Sequence, residues 1–227
     1  MNLHDVMVAD IAERTDAPVL IVFARAPVVG QVKTRLAATI GAEAAATAYR
    51  ELVVTTLRNA AAARRAGHVR AIELWCTPAH DDPYFQTLAA RFGVELHRQC
   101  QGDLGERMAD ALAEVLTRSP RALLIGTDCP VLGVPELAAA GAALDTTEAV
   151  LAPAADGGFV LVGTRVPLTF RAVRWSGPQT LAETRTSLRR DGVAWTELPV
   201  LWDVDELVDL LRWQSALDGD DESTAGD

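Results

Sequence analysis

The sequence predicts an α/β protein in which a mostly parallel, mixed β-sheet is flanked by helices. Strand-like apolar segments alternate along the chain with segments that have the spacing of amphipathic helices, which is the pattern of successive βαβ units. Residues 19–24 are continuously apolar, as expected of a strand that is buried on both faces of a sheet. The chain has 227 residues, of which 49% are hydrophobic, enough for the core of one such domain.

Seven segments carry strand signals. Two of them flank Asp156-Gly157-Gly158 with no room for a helix between them, so we expect an antiparallel pair there and a mixed sheet. The predicted strands cover residues 19–24, 69–76, 94–97, 122–125, 150–152, 159–162 and 193–198.

Helices are predicted between most of these strands. The helix that starts at residue 104 has one apolar stripe, and Asp103 with Glu106 has the spacing of a capping box. The helix that starts at residue 42 ends before Gly67, a C-cap candidate. The predicted helices cover residues 42–65, 104–115, 178–190 and 203–217.

Charge and composition exclude several classes of function. The net charge of −10 argues against a nucleic-acid partner, and no apolar run is long enough to suggest a membrane partner. Three cysteines without CxxC spacing, and an acidic N-terminus unlike a signal peptide, indicate a cytoplasmic protein. We expect one domain at residues 18–217, an N-terminal extension at 1–17 and a disordered acidic tail at 218–227.

The loop after the first predicted strand carries three cationic side chains. They are Arg25, Lys33 and Arg35, and Lys33 is the single lysine of the chain. Cations near a strand-to-helix junction suit a phosphate, although the loop matches neither the P-loop nor the Rossmann pattern. The alternative is a basic surface loop, but a lysine retained in an arginine-rich chain favours phosphate contact.

Acidic residues follow two other strand-like segments. Asp128 comes after residues 122–125, and Asp203 and Asp205 follow residues 193–198. Because strand carboxyl ends share one edge of a parallel sheet, we expect these carboxylates to converge on Mg²⁺ or Mn²⁺ and to raise at least one pKa among them. The alternative is that they are turn and helix-start acids without a metal.

The segment Asp156-Gly157-Gly158 has two interpretations of equal weight. Paired glycines allow a ligand to approach the backbone, and Asp156 could bind a hydroxyl group. Asp-Gly is also a favoured hairpin turn.

Gly102 and Asp103 precede a predicted helix. Capping explains Asp103, whereas a glycine pair this close to a helix start suits backbone packed against a base or ribose, so we predict nucleotide contact here. Trp175-Ser176 is a candidate for the mouth of the cleft.

In their order along residues 19–210, these motifs resemble a bacterial family of glycosyltransferase-A-like proteins, labelled arsenosugar-biosynthesis-type glycosyltransferases. The motifs are FARAPVVGQVKTRLA, GDLGERM, GTDCPVL, APAADGGFVLVG, VRWS with TLAET, and DVD. A more distant resemblance is to 2-phospholactate guanylyltransferase, through a KxRL-type loop, a DxP strand end and the closing DVD.

The resemblance implies a single-domain GT-A fold, that of the nucleotide-diphospho-sugar transferases. It implies that Lys33 and Arg35 lie toward the donor phosphates. It also implies a divalent cation, Mg²⁺ or Mn²⁺, held by Asp128, Asp203 and Asp205.

The same resemblance implies that residues 156–158 face the acceptor. Two departures from the family pattern are present. The strand end reads Asp128-Cys129-Pro130, with one acid where many glycosyltransferases have two, and Phe159 is followed by valine where the family often has an aromatic pair.

The leading functional hypothesis is therefore a metal-dependent transferase of a nucleotide sugar onto a small-molecule acceptor. Lys33 would assist the departing diphosphate, and Asp156 would be the general base. One alternative is a nucleotidyltransferase that acts on a nucleoside triphosphate, which the single acid at Asp128 favours. A second alternative is a non-catalytic nucleotide-binding protein.

Because Lys33 is on a loop, we expect its removal to change stability by no more than about 0.5 kcal/mol.

Overall fold

The structure is a computed structural model that describes residues 16–224, and it is built on a seven-stranded sheet. The strands are β1 (Val19–Arg25), β2 (Ala71–Thr77), β3 (Glu95–Arg98), β4 (Ala122–Ile125), β5 (Ala149–Pro153), β6 (Phe159–Thr164) and β7 (Trp195–Glu197). Their order across the sheet is β3-β2-β1-β4-β6-β5-β7. All seven predicted strands are confirmed, and their ends shift by at most two residues.

The sheet is mixed, as predicted. β1 runs parallel to β2 and β4, β2 runs parallel to β3, and β5 runs parallel to β7. β6 is antiparallel to both β4 and β5. The carboxyl ends of β1, β4, β5 and β7 therefore lie at the same edge as the amino end of β6. We call it the carboxyl edge.

Helices cover both faces of the sheet. They are α1 (Thr34–Ile40), α2 (Ala42–Arg65), α3 (Pro83–Phe92), α4 (Leu104–Leu116), α5 (Val134–Ala143), α6 (Thr180–Arg190) and α7 (Leu207–Thr224). Buried side chains of α2, α3 and α5 form the core on one face, and those of α4 and α6 form the core on the other. α1 and α7 pack against α2 in a third cluster around Leu36, Leu52 and Trp213.

Some predicted boundaries differ from the structure. The last helix was expected at residues 203–217, but α7 begins at Leu207 and extends to Thr224. The backbone of the acidic segment, which was expected to be disordered from residue 218, is therefore helical through Thr224. Of the predicted N-terminal extension, residues 1–15 lie outside the described residues. Within residues 16–224, no helix has both the length and the apolar character needed to cross a bilayer.

Candidate functional site

Backbone hydrogen bonds tie together three loops at the carboxyl edge. The amide of Val204 donates to the carbonyl of Asp128 at 2.8 Å, which joins the loop after β7 to the loop after β4. The amide of Ala155 donates to Leu201 at 2.9 Å, and the amide of Leu201 donates to Pro153 at 2.9 Å. The acids that these loops carry are therefore held at fixed positions relative to one another.

Lys33 lies at the centre of this edge. Its side chain is only 5% exposed, and its Nζ lies 2.7 Å from Oδ1 of Asp128 and 3.2 Å from Oδ1 of Asp205. Nζ also donates to the carbonyl of Val204 at 2.5 Å. The expectation that Lys33 is a loop lysine with little structural role is wrong, because it bridges both acidic loops.

The backbone of Lys33 is strained in a way that fits this role. Lys33 has φ 47° and ψ 49°, a left-handed conformation that a non-glycine residue rarely adopts. It is the N-cap of α1, and its carbonyl accepts from the amide of Ala37 at 2.8 Å. The left-handed turn directs the side chain back from the start of α1 toward the acids.

Three carboxylates form a group that could hold a metal ion, and its membership differs from the predicted set. Oxygen atoms of Asp156, Asp203 and Asp205 all lie within 4.8 Å of one another. Asp128, which was predicted as a ligand with Asp203 and Asp205, lies outside this group and is paired with Lys33 instead. The hairpin acid Asp156 takes its place, because β5 ends at the same edge as β7.

The environment of Asp203 is unfavourable to a negative charge. Burial, and then the charges of Asp156 and Asp205, raise its pKa from 3.8 to about 6, while Lys33 opposes the shift. The predicted rise through like-charge repulsion is confirmed in direction, although burial is the larger cause.

These residues fit a divalent cation. Within residues 16–224, four carboxylates meet at the carboxyl edge, and the cations that touch them are Lys33 and Arg35, whose Nη1 lies 3.0 Å from Oδ2 of Asp205. Two positive charges against four negative ones leave a charge of −2, which a divalent cation would balance. Carboxylate oxygens are also the donors that Mg²⁺ and Mn²⁺ prefer.

Two adjoining cavities form the two halves of a cleft at this edge, and basic side chains line one half. Arg25, predicted as a phosphate ligand, is exposed and donates to the carbonyl of Gln31 at 3.4 Å. Arg107 lines the same half, and its Nη1 donates to Oε1 of Gln99 at 3.3 Å. The sequence reasoning missed Arg107, although it lies in the GDLGERM motif one turn after the cap of α4.

The predicted nucleotide role of Gly102 finds no support in the structure. Gly102 does not line the cleft, and a Cβ atom there would lie 2.3 Å from Oε2 of Glu106. That carboxylate accepts from the amide of Asp103 at 2.9 Å, while the carboxylate of Asp103 accepts from the amide of Glu106 at 2.9 Å. The capping box therefore explains the glycine at position 102. Asp103 does line the cleft, but its carboxylate is used to cap α4.

The segment Asp156-Gly157-Gly158 combines both of its interpretations. Oδ1 of Asp156 accepts from the amide of Gly158 at 2.8 Å, as in a hairpin turn. Gly157 has φ 91°, and a Cβ there would lie 2.3 Å from the carbonyl oxygen of Pro178. Gly157 therefore packs closely against the backbone of Pro178. Asp156 and Gly158, in contrast, line the cleft.

Tyr49 supports the edge from below and was not predicted as part of the site. Its hydroxyl oxygen accepts from the amide of Arg25 at 2.9 Å and from Oγ1 of Thr127 at 3.4 Å. Burial, with a smaller contribution from the Asp128 charge, raises the pKa of Tyr49 to about 12. Tyr49 therefore remains protonated and joins the ends of β1 and β4.

The cleft consists of two adjoining cavities, each of about 660 Å³. We call one the basic half, which is lined by Arg25, Lys33, Arg35 and Arg107. We call the other the acidic half, where Asp156, Asp203 and Asp205 face an apolar wall that includes Phe159 and Trp175. Trp175 and Ser176 line both halves.

Residues 56–177, more than half of the chain, match the pattern of a family described as "Uncharacterized protein conserved in bacteria (DUF2064)". The chain belongs to the DUF2064 family. The match covers the capping motif of α4, the Asp128 strand end and the Asp156 hairpin. No curated protein matches this DUF2064 chain.

Solved structures share the fold of this DUF2064 chain. A protein from Desulfovibrio desulfuricans G20, provisionally assigned as a nucleotide-diphospho-sugar transferase, is 28% identical with a TM-score of 0.73, and the match covers 83% of this chain and 82% of that one. A CMP:2-keto-3-deoxy-manno-octonic acid synthetase in complex with CTP is 11% identical with a TM-score of 0.58, and the match covers 90% and 99%.

A third structure is 4-diphosphocytidyl-2C-methyl-D-erythritol synthase from Anaerococcus prevotii DSM 20548. It is 9% identical with a TM-score of 0.56, and the match covers 90% of this chain and 99% of that one. The DUF2064 chain therefore has the fold of nucleotide-using transferases, and the predicted nucleotide-diphospho-sugar-transferase-like fold is confirmed.

Proposed function

We propose that this protein is a metal-dependent transferase that uses a nucleotide-activated donor, with a nucleotide sugar as the leading candidate. One observation carries the proposal. The cations of the loop after β1 and the acids that follow β4, β5 and β7 meet at a single edge, on the border of a two-part cleft. Ligands of open α/β sheets bind at that edge.

The basic half is suited to the donor phosphates. Lys33, Arg35 and Arg107 would bind the phosphate oxygens, because charge-assisted hydrogen bonds to phosphate are among the stronger polar contacts. Asp203 and Asp205 would hold Mg²⁺ or Mn²⁺ beside Asp156, and the bound cation would supply positive charge against the departing diphosphate.

The reaction would be a displacement at the anomeric carbon of the donor sugar. The acceptor oxygen forms the new bond to that carbon, and the bond from carbon to phosphate oxygen breaks. The nucleoside diphosphate leaves with the electron pair of that bond. The hydroxyl proton passes to a carboxylate, for which we propose Asp156, because it lines the acidic half and is exposed.

A nucleotide sugar is favoured over other donors by the solved structure with 28% identity, which is provisionally assigned as a nucleotide-diphospho-sugar transferase. A second candidate is nucleotidyl transfer from a nucleoside triphosphate, with release of pyrophosphate. Four cationic side chains in the basic half favour this candidate, because a triphosphate carries more charge than a diphosphate.

Thermal unfolding with and without Mg²⁺ tests the proposal over a panel of nucleotide sugars and nucleoside triphosphates. Stabilisation by a nucleotide sugar that requires Mg²⁺ supports glycosyl transfer, and stabilisation by triphosphates alone supports nucleotidyl transfer. The products then decide: a nucleoside diphosphate in the first case and pyrophosphate in the second. A protein that no nucleotide stabilises contradicts the proposal, whereas one that binds nucleotides without turnover is a non-catalytic binding protein.

A further inference from the structure

The two halves of the cleft differ in charge. The basic half is lined by four cationic side chains, and its acids are Asp103, Asp128 and Asp205. The first of these caps α4, and the other two are paired with Lys33. Among the described residues of the acidic half, by contrast, Arg35 is the one cation, and four carboxylates line it: Asp128, Asp156, Asp203 and Asp205.

The acidic half also has an apolar wall. Trp175 meets Phe159 edge to face, with ring centroids 6.3 Å apart and an interplanar angle of 74°. It meets Phe170 in the same manner at 5.8 Å and 71°. Met108 and Phe23 line the same cavity. Such a wall can pack against the apolar face of a small molecule.

The loop that carries Trp175 is held in place. The hydroxyl of Thr180 lies 2.9 Å from the carbonyl of Arg174 and 2.8 Å from that of Gly177. Gly105 of α4 leaves room for the indole, because a Cβ there would lie 2.6 Å from Cζ2 of Trp175. The apolar wall is therefore formed before any ligand arrives.

From this arrangement we infer the class of the acceptor, an inference that rests on the proposed function. The acceptor is a small hydroxyl compound that has an apolar face and carries no phosphate or carboxylate group. An anionic group in the acidic half would lie against the apolar wall without an unpaired cationic side chain, because Arg35, the one lining cation among the described residues, is paired with Asp205. The proposed divalent cation offers little further charge, since the acid group and the donor diphosphate already share it. A hydroxyl, in contrast, can donate to a carboxylate such as that of Asp156, and an apolar face can pack against Trp175 and Phe159.

The inference can be tested on the full chain with a matched pair of probes. 4-Methoxybenzyl alcohol and 4-(hydroxymethyl)phenyl phosphate share a ring and a hydroxyl, and they differ in a methyl ether against a phosphate. Binding is measured by ligand-observed NMR in the presence of Mg²⁺ and of a saturating nucleoside diphosphate, which occupies the basic half. We expect the uncharged alcohol to bind at least about tenfold more tightly than the phosphate.

Variants of the acidic half sharpen the test. Phe159→Ala is expected to weaken binding of the alcohol by about fivefold or more while nucleoside diphosphate binding is retained, because Phe159 lines the acidic half and not the basic half. Trp175→Ala is expected to weaken binding of the alcohol at least as much. Trp195→Ala is the matched control, because Trp195 is half-buried on β7 and does not line the cleft. Asp156→Asn keeps an oxygen for the amide of Gly158. Measured without Mg²⁺, it is expected to improve binding of the phosphate probe alone, because it removes one negative charge from the acidic half.

Each outcome of the binding experiment either supports or contradicts a specific claim. Equal or tighter binding of the phosphate probe, or no binding of either probe to the wild type, overturns the inference about the acceptor. Failure of every nucleoside diphosphate to bind contradicts the proposed function instead. Circular dichroism of each variant distinguishes a lost contact from a lost fold.

Discussion

Nζ of Lys33 lies 2.7 Å from Oδ1 of Asp128, at the point in the sheet where the strand order reverses between β1 and β4. The lysine reaches across that point from the start of α1 and also contacts Asp205. In this arrangement its ammonium group balances part of the acidic charge that a divalent cation would otherwise balance. Lys33 therefore has a structural role in addition to its proposed role at the donor phosphates.

Replacement of Lys33 is expected to destabilise the protein. Lys33→Ala leaves Asp128 and Asp205 without their shared cation, which should lower the free energy of unfolding by about 1–3 kcal/mol. Because Mg²⁺ can supply the missing charge, it should stabilise this variant more than it stabilises the wild type. Urea unfolding with and without Mg²⁺ measures both effects. Equal stability of variant and wild type without metal would contradict the bridging role.

Lys33→Arg separates charge from shape. A planar guanidinium cannot point a compact charge at two carboxylates and a carbonyl in the same way, so we expect nucleotide turnover to fall although the charge is kept. Steady-state kinetics measures this turnover, with the donor that stabilises the protein in the thermal unfolding panel. Wild-type turnover in this variant would show that charge alone suffices.

Removal of a carboxylate from the acid group should abolish stabilisation by metal. We expect saturating Mg²⁺, at about 100 times its Kd, to add about 2–3 kcal/mol to the stability of the wild type. Asp203→Asn should show little of this gain, because Asp203 is one of the three grouped carboxylates and is coupled to the charges of both Asp156 and Asp205. Asp145→Asn is the control, since that acid pairs with Arg121 away from the cleft. Mg²⁺ stabilisation of Asp203→Asn equal to that of the wild type would exclude the proposed cation site.

The ion pair of the buried Glu73 with the exposed Arg118 predicts a loss of stability in acid. Burial would raise the pKa of Glu73, but hydrogen bonds from Arg118 and Trp75 outweigh it and hold the pKa below its usual 4.5. The folded state thus binds this proton less readily than the unfolded state. The pair stabilises the protein fully above pH 4.5, and its contribution is lost as the pH falls through the lower pKa of the folded state.

Glu73→Gln checks this expectation. At pH 7 the variant should be less stable than the wild type by about 1–3 kcal/mol, and the difference should shrink below pH 4.5. Glu114→Gln is the control, because Glu114 is exposed and its oxygen lies 3.9 Å from Arg118. Urea unfolding from pH 3 to pH 8 gives the comparison. A difference that is constant over this range would rule out the ion pair as its source.

Gly105 and Gly141 offer a matched pair of substitutions in helices. Gly105→Ala would place Cβ 2.6 Å from the Trp175 ring, so it should cost about 1–3 kcal/mol and change the tryptophan fluorescence. Gly141→Ala has only ordinary contacts at 3.8 Å and beyond, so it should be neutral or stabilising by up to about 1 kcal/mol. Thermal unfolding of both variants tests the packing of the apolar wall.

The strands were predictable because most are continuous apolar runs, and the acidic edge was predictable because Asp128 and Asp203 follow strand ends. The exact cation group was not, because nothing in the residues near Asp156 indicates that the β5–β6 hairpin reaches the loop after β7. The burial of Lys33 was missed because it depends on a left-handed residue that sequence patterns for lysine do not suggest.

The contact between Lys33 and Asp205 joins positions 172 residues apart. During synthesis the lysine leaves the ribosome early, whereas its acidic partner follows only after β7. An intermediate in which β1 and β4 have already paired would still lack Asp203 and Asp205, so it could not assemble the proposed cation group. Capture of the cation would therefore follow the synthesis of β7 and of the loop after it, and recovery of metal binding would report that this loop has docked on the sheet.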